Sequence, residues 1–303
     1  MSALICGSLA FDTIATYPGR FSEAILPDQV HILNVSFLVP TMRREWGGCA
    51  GNIAYTLRQL GGDPLVLAAV GDDGQTYLDR LDGLGASTEH VLRVADSYTA
   101  QAIIITDLDN NQITAFHPGA MQSAHLAPVP GRDDIRIGII APDGRDAMLL
   151  HARQMSDAGI PFIFDPGQQL PRFDGAELRD FVAASTWMAL NDYEAKLLCE
   201  RTALSLAELS RGSVQGIVVT LGPEGCEVWQ QGERVHVPGV AAREVLDPTG
   251  CGDAFRAALL YGLERGWPLV RCAALGNRIG AIKIAHRGGQ NHTLDTDELI
   301  ASV

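Results

Sequence analysis

A carboxylate set among glycines just ahead of a helix-forming run is the densest concentration of potential chemistry in the chain: Asp247-Pro-Thr-Gly-Cys-Gly-Asp-Ala-Phe255. The residues that follow, 254–263, space apolar side chains at helical intervals and are rich in Ala and Leu, which predicts a helix starting near Cys251. The first amides of a helix find no partner within it. Pro248 stiffens the approach, and Gly250 and Gly252 can adopt backbone angles that let the amides of Gly250, Cys251, Gly252 and Asp253 converge on an anion such as a phosphate. Asp253, at the rim, can take a proton from an attacking hydroxyl. A Pro/Gly turn whose Asp merely caps the helix accounts for the same residues, and this segment alone does not separate the two readings.

The elements that must position such a site follow from an alternation of short apolar runs and helix-like segments. Strands are expected at 3–6, 65–70, 137–140, 162–164, 187–190 and 217–221, with helices between most of them. That is an α/β chain with a doubly wound, mostly parallel sheet covered by helices on both faces. Ligands bind such sheets beyond the carboxyl ends of the strands, where Gly7-Ser8, Gly71-Asp72, Asp165-Pro-Gly167, Asn191 and Gly222 all fall. Turn chemistry alone gives part of this pattern, so it locates a face without naming a reaction. Gly47-Gly48 leads into a helix expected over 52–60. Two stretches break the alternation: 12–46 is β-rich, and 99–117 reads as a hairpin, 101–107 and 112–116, joined by Leu-Asp-Asn-Asn. Together they form a small sheet inserted in a single domain spanning 1–303.

Composition limits the partners. With 303 residues, 47% of them hydrophobic, the chain can bury a large core. Twenty-three Lys and Arg face 36 Asp and Glu, for a net charge of −13, and no basic run interleaves with aromatics, which argues against nucleic acid as a partner. An acidic protein that handles a nucleotide must neutralise it locally, with oriented amides, a few cations and a divalent ion such as Mg2+. The six cysteines lack Cys-x-x-Cys spacing and read as reduced thiols. Residues 1–10 lack a positive leader and read as a first strand, and no apolar stretch is long enough to cross a bilayer, so a soluble, cytoplasmic protein is expected. Neither a Gly-x-x-x-x-Gly-Lys-Ser/Thr loop nor a Gly-x-Gly-x-x-Gly turn after the first strand occurs, and the eight histidines form no zinc-like group.

Asp-Pro-Thr-Gly-Cys-Gly-Asp-Ala-Phe resembles the C-terminal signature of the ribokinase-like (PfkB-type) kinases, and Gly47-Gly-Cys-Ala-Gly-Asn52 resembles the same family's Gly-Gly segment with its hydroxyl-binding Asn. The two stand in the family's order, about two hundred residues apart. From Pro18-Gly-Arg-Phe-Ser-Glu through Ser36-Phe-Leu-Val, Phe116-His-Pro-Gly-Ala-Met121, Asp165-Pro-Gly-Gln-Gln-Leu170 and Asn191-Asp-Tyr-Glu194, the chain is similar to bacterial adenosine kinases over nearly its full length. The resemblance implies a ribokinase-like fold in which segments 12–46 and 99–117 make a β-sheet lid. It implies transfer of the ATP γ-phosphoryl to the 5′-hydroxyl of a purine nucleoside, most simply adenosine, with Asp253 as base and the amides of Gly250, Cys251 and Gly252 as anion hole. Asp12, Gly48 and Asn52 would hold the ribose, and Ser8, Ser36, Phe116, Gln168, Gln169 and Arg172 would line the nucleoside pocket. Asn191, Thr220, Gly222, Gly225 and Asn277 would meet ATP, Glu194 and Asn191 would help place Mg2+, and the carbonyls of Gly288-Gly-Gln290 would hold a monovalent cation, K+. Lidded members pair through their lids, so a homodimer is the expectation.

Each of these residues also has an ordinary reading. Glu194 suits the first turn of a helix, Asp12 a strand-end turn, the glutamines a solvated loop, and Cys251 a small side chain where relatives carry Ala rather than a reactive thiol. Ala102 stands where the adenosine kinases place a Phe against the base, a loss of stacking worth about 0.5–1.5 kcal/mol that Phe116 can offset. A broad nucleoside kinase accepting guanosine, inosine or cytidine is therefore the alternative to adenosine kinase, followed by a sugar kinase and by a catalytically silent nucleoside-binding protein.

Overall fold

The computed structural model describes residues 2–25, 34–109 and 111–303. In chain order its elements are β1 (Ser2–Cys6), β2 (Ala10–Thr16), the one-turn α1 (Phe21–Ala24), β3 (Thr41–Gly47), α2 (Cys49–Gln59), β4 (Pro64–Leu67), β5 (Ala69–Val70), α3 (Gln75–Gly83), β6 (Leu92–Arg93), β7 (Ala100–Thr106) and β8 (Gln112–His117). Then come β9 (Ile135–Ile140), α4 (Arg145–Asp157), β10 (Phe162–Phe164), α5 (Gly175–Ala184), β11 (Trp187–Asn191), α6 (Asp192–Thr202), α7 (Leu206–Leu209) and β12 (Gly216–Thr220). The chain closes with β13 (Gly225–Gln230), β14 (Glu233–Pro238), α8 (Cys251–Glu264), α9 (Leu269–Lys283) and α10 (Thr296–Ala301).

Eight strands form the main sheet in the order β14-β13-β12-β11-β10-β9-β1-β4. The six from β4 to β12 run parallel, and β13 and β14 close one edge as an antiparallel hairpin. All five residues of β1 are buried, as a strand covered on both faces requires. Its alternate side chains feed two cores. Ala3 and Ile5 pack with Ile53 of α2, Leu259 of α8 and Leu275 of α9, whereas Leu4 and Cys6 pack with Met148 of α4, Phe181 of α5 and Leu198 of α6. The chain leaves β1 for β4 on one side and returns to β9 on the other, so the strand order reverses beside β1 and opens a crevice at its carboxyl end.

The small sheet lies in the order β3-β2-β7-β8. Its register sets Glu45, Asp12, Ala102 and Phe116 in one row across four strands, all on one face. On the other face, Phe11 packs against Trp46 and Tyr77, with the Arg44 guanidinium 3.5 Å above its ring. Residues 26–33 of the expected lid segment 12–46, and Asn110 in the turn of the 99–117 hairpin, lie outside the described residues.

Three expectations change. The apolar run 65–70 is two strands, because the chain leaves β4 at Ala68 and β5 pairs with β6, Ala69 opposite Leu92, in a separate two-stranded ribbon. The hairpin β13–β14 is not legible in the sequence: beyond Thr220 the chain reads as a glycine turn, yet Cys226, Val228 and Val237 turn into one core while residues 233–236 are exposed. The helix expected over 52–60 starts three residues earlier, at Cys49, since the Ser8 hydroxyl accepts from the Cys49 amide at 3.2 Å and the Ser8 carbonyl from the Ala50 amide at 3.0 Å.

Candidate active site

The two glycine motifs, some two hundred residues apart in sequence, meet through one hydrogen bond. Asn52, buried in the first turns of α2, donates from Nδ2 to Oδ2 of Asp253 at 2.8 Å. Behind it, Gln290 donates from Nε2 to Asn52 Oδ1 at 3.2 Å and to the Tyr77 hydroxyl at 2.6 Å, and Tyr77 donates to the Gly47 carbonyl at 2.6 Å. Arg80 secures Gln290 from outside, its guanidinium reaching Oε1 at 3.3 Å and the backbone carbonyl at 2.9 Å. This chain of donors fixes which way the Asn52 amide faces and therefore presents its NH2 to Asp253.

Glycine is required where the parts touch. Gly48 has φ +84°, and a side chain there would strike the Ser8 carbonyl at 2.5 Å. A Cβ on Gly47 would meet Asp12 Oδ2 at 2.4 Å, so its absence leaves room for that carboxylate. Gly250 has φ +79° and sits against Gly289.

Asp253 is half-buried in the first turn of α8, and its carboxyl is pushed up to about 6. Burial is the main cause and the Asp165 charge adds to it, opposed by the Asn52 hydrogen bond and the Arg256 cation. Asp12 is likewise pushed up to about 6 by burial and then by the charges of Asp253, Asp247 and Glu45, which puts its carboxylate within electrostatic reach of Asp253. Among the described residues, the amides of Gly250, Gly252 and Asp253 have no protein acceptor. That of Cys251 is given to the Pro248 carbonyl at 3.1 Å. Of the four amides expected to form an anion hole, three are therefore left without a protein acceptor among the described residues. The Cys251 thiol is itself raised, chiefly by burial, which removes the reactive-thiolate reading.

A buried ion pair supports this end of the sheet. Arg256, one turn beyond Asp253, grips Asp165 at the end of β10 with two bonds of 3.1 and 3.0 Å, touches the Ala189 carbonyl at 3.3 Å and stands 3.9 Å from Glu194. Two residues past Asp165 the chain enters a 3-10 turn, Gly167–Arg172, where Arg172 donates to the buried Gln169 at 3.3 Å while Gln168 is exposed. Phe116 is 52% exposed on the Asp12 face of the small sheet, directly opposite Ala102. Ser36 lies exposed in the stretch before β3, and among the described residues no hydrogen bond joins its side chain to the other site residues.

The residues expected to meet ATP are spread along the carboxyl ends of β11 and β12 and the adjoining hairpin. Asn191 and Glu194 close on each other as a capping box at the start of α6: Asn191 gives its backbone N–H to Oε2 and its Nδ2 to Oε1, both at 2.8 Å, and accepts the Glu194 amide at 2.7 Å. Glu194 is raised by burial and by the Asp165 charge. Thr220 donates to the Leu190 carbonyl at 3.3 Å, and Gly222, at φ +59°, has open space where a side chain would point. Gly225 and Asn277 serve the fold. A Cβ on Gly225 would strike the Val237 carbonyl at 2.2 Å, and Asn277 Nδ2 donates to the carbonyls of Val237 and Pro238 at 3.1 and 3.0 Å, which leaves only its Oδ1 for a ligand.

Among the described residues no three His, Cys, Asp or Glu side chains group as metal ligands. Mg2+ characteristically keeps several waters and rides on phosphate oxygens with one or two carboxylates, and Glu194, with both oxygens already accepting, suits contact through such a water. Two surface hollows, one beside Gly61 and Arg265 and one between α9 and α10, hold none of the site groups.

Residues 9–297 match the model of the pfkB family of carbohydrate kinases. The chain belongs to that family. The kinase is 50% identical to a nucleoside kinase from Burkholderia thailandensis solved in complex with inosine, over 99% of this chain and 96% of that one, with a TM-score of 0.88. It is 25% identical to a nucleoside kinase from Methanocaldococcus jannaschii, covering 99% and 97% of the two chains with a TM-score of 0.90. A nucleoside kinase from Methanothermobacter thermautotrophicus is 28% identical over 294 residues, 95% of this chain and 94% of its own. The fold is accordingly ribokinase-like, and the protein is an ATP-dependent kinase.

Sequence reading missed Arg256, Asp165 in its pairing role, and the Gln290 relay. Arg256 left a signal, a lone cation in an Ala- and Leu-rich helix three residues after Asp253. Gln290 left none, because its partners are brought to it only by the fold.

Proposed function

We propose that this kinase transfers the γ-phosphoryl group of ATP to the 5′-hydroxyl of a nucleoside. The observation that carries the reading is the 2.8 Å bond from Asn52 to Asp253, with the Asp12 carboxylate beside it. Asn52, an amide suited to ribose hydroxyls, is thereby tied to the base that must reach the primary hydroxyl, and Asp12 offers a carboxylate to which vicinal hydroxyls can donate. Asp253 accepts the hydroxyl proton, and the amides of Gly250, Gly252 and Asp253 receive the charge on the phosphoryl oxygens. Mg2+, held with the ATP phosphates and through water by Glu194, would supply neutralisation of phosphate charge. Ser8, Gln168, Gln169 and Arg172 line the nucleoside side, while Asn191, Thr220 and Gly222 face the ATP side. The small sheet acts as the lid, excluding water that competes with the acceptor.

The row Asp12–Ala102–Phe116 supports a base pocket broader than adenosine alone. Ala102 leaves space where an aromatic ring would clamp the base, and the exposed Phe116 ring offers one stacking face to any purine. The inosine-bound relative, at 50% identity, agrees with a purine range that includes inosine as well as adenosine. Met42, Ile103 and Ile113, exposed on the opposite face of the lid, suit pairing with a second copy of the chain. Six free thiols suit the cytoplasm, and among the described residues no helix is long and apolar enough to cross a membrane.

A panel of nucleosides, free sugars and sugar phosphates incubated with ATP and Mg2+, with products read by mass, tests the reading. Nucleoside 5′-monophosphates from several purines are expected. Exclusive phosphorylation of a sugar would overturn it, and nucleoside binding without ATP consumption would leave only a binding protein.

A further inference from the structure

Lys283, the last residue of α9, is completely buried. Its ammonium donates to the backbone carbonyls of Asp247 and His286, each at 2.9 Å. These carbonyls belong to the two loops that bound the catalytic end of the molecule, the one entering α8 and the one leaving α9. The same loops are joined at three other places. The Ile284 carbonyl accepts the amides of Leu246 and Asp247 at 2.9 and 3.1 Å. The Asp247 carboxylate accepts the Gly288 and Thr249 amides, both at 2.9 Å. Gly250 packs on Gly289, so closely that a Cβ would come within 2.9 Å of its Cα. Two of the glycines that shape the anion hole and the Gln290 relay thus owe their relative position to this clasp.

A monovalent cation bound between these loops would have to share the Asp247 and His286 oxygens with Lys283 and the amides. Each carboxylate oxygen of Asp247 already accepts one amide, and its carbonyl and that of His286 face an ammonium. A second cation a few ångströms from that ammonium would meet repulsion in a poorly solvated place. Of the Gly288-Gly-Gln290 carbonyls expected to hold K+, that of Gln290 is taken by Arg80, and the remaining two beside an ammonium do not make a cation cage, so that expectation does not fit this chain's residues. We propose that Lys283 is a built-in cation that fixes the loops on either side of Asp253 and leaves the kinase independent of potassium. A covalently attached ammonium is always present and always single, so the anion hole stays formed whatever the surrounding salt.

The proposal rests on the kinase reading for its activity arm only. Turnover of the parent protein is measured in potassium, ammonium, sodium and choline chloride of equal ionic strength, together with its melting temperature in each salt. Equal turnover, within about twofold, and equal melting temperature in potassium and choline are expected, since no site is left to be filled. Lys283→Met keeps the stem and removes the charge. It is expected to lose at least ~10-fold in turnover through misplaced loops, to regain part of that in potassium or ammonium but not in choline, and to melt higher in potassium than in choline. Strong activation or thermal stabilisation of the parent by potassium would overturn the proposal, as would a Lys283→Met variant of parental turnover in choline. If Lys283→Met does not fold, the parent's melting temperatures in the four salts still decide. Were no nucleoside phosphorylated in any salt, the kinase reading would fail while the melting comparison stood.

Discussion

Replacing Arg256 by Met removes the cation that holds the carboxyl end of the sheet together, and the cost can be worked from its contacts. Arg256 and Asp165 are 6% and 4% exposed, and their two-point contact has bonds of 3.1 and 3.0 Å. The methionine fills much of the same volume, so cavity formation is a small part of the loss. The main part is an Asp165 carboxylate left in the interior without its cation, a situation that costs about 3–5 kcal/mol. Asp165 is already raised by burial against the pull of Arg256, and without that pull it rises further. A carboxyl whose folded value exceeds its unfolded one loses stability as pH rises, so the deficit is larger at pH 8 than at pH 5. Asp165→Asn combined with Arg256→Met removes both charges together and should recover at least ~1 kcal/mol relative to Arg256→Met alone. Urea unfolding of the parent, both single variants and the double variant at two pH values gives the full cycle. A single variant within about 1 kcal/mol of the parent, or a double variant no better than Arg256→Met, would refute the assignment of this pair as a mutually dependent buried unit.

Asp143, at the end of β9, has one buried oxygen without a partner among the described residues and is pushed up to about 8, chiefly by burial. The folded protein keeps the proton that the unfolded chain releases near pH 4, so stability should fall as pH rises from about 4 to 8, by up to ~1.4 kcal/mol per unit. In Asp143→Asn the melting temperature should lose that slope, and an unchanged slope would exclude the group. Ala102→Phe is expected to narrow the purine range, raising the ratio of kcat/KM for adenosine over inosine by about 2–10-fold through stacking beside Phe116. An unaltered ratio would place the base elsewhere. The acid limb of kcat/KM should fall near pH 6, where Asp253 and Asp12 take up protons as an interacting pair, and a limb near pH 4 would contradict the environment described for them.

Local chemistry made the core of the site legible. Glycines before a helical run announced both α2 and α8, and the apolar runs of β9 to β12 fell within a residue or two of their observed ends. The small sheet appeared as β-rich sequence because cross-strand pairs such as Ile105 with Ile113 leave a short-range pattern. Illegible features depend on contacts between distant residues. Leu65 to Val70 reads as one strand, yet Ala69 finds a better partner in Leu92 than in the main sheet. Lys283 looks like an ordinary cation in the last turn of a helix, where the dipole favours one. Only folding brings the Asp247 and His286 carbonyls around its ammonium. Glu194 caps α6, as the first turn of a helix favours, and its 3.9 Å approach to Arg256 is another contact that only folding supplies.

The central claim is that Asp253 removes the proton of the acceptor hydroxyl, and single-turnover phosphorylation by Asp253→Asn tests it most directly. The asparagine keeps the shape and can still accept from Asn52, so nucleoside binding by calorimetry should stay within a few-fold of the parent while turnover drops by at least ~10²-fold. Turnover near the parental value with binding intact would contradict the account.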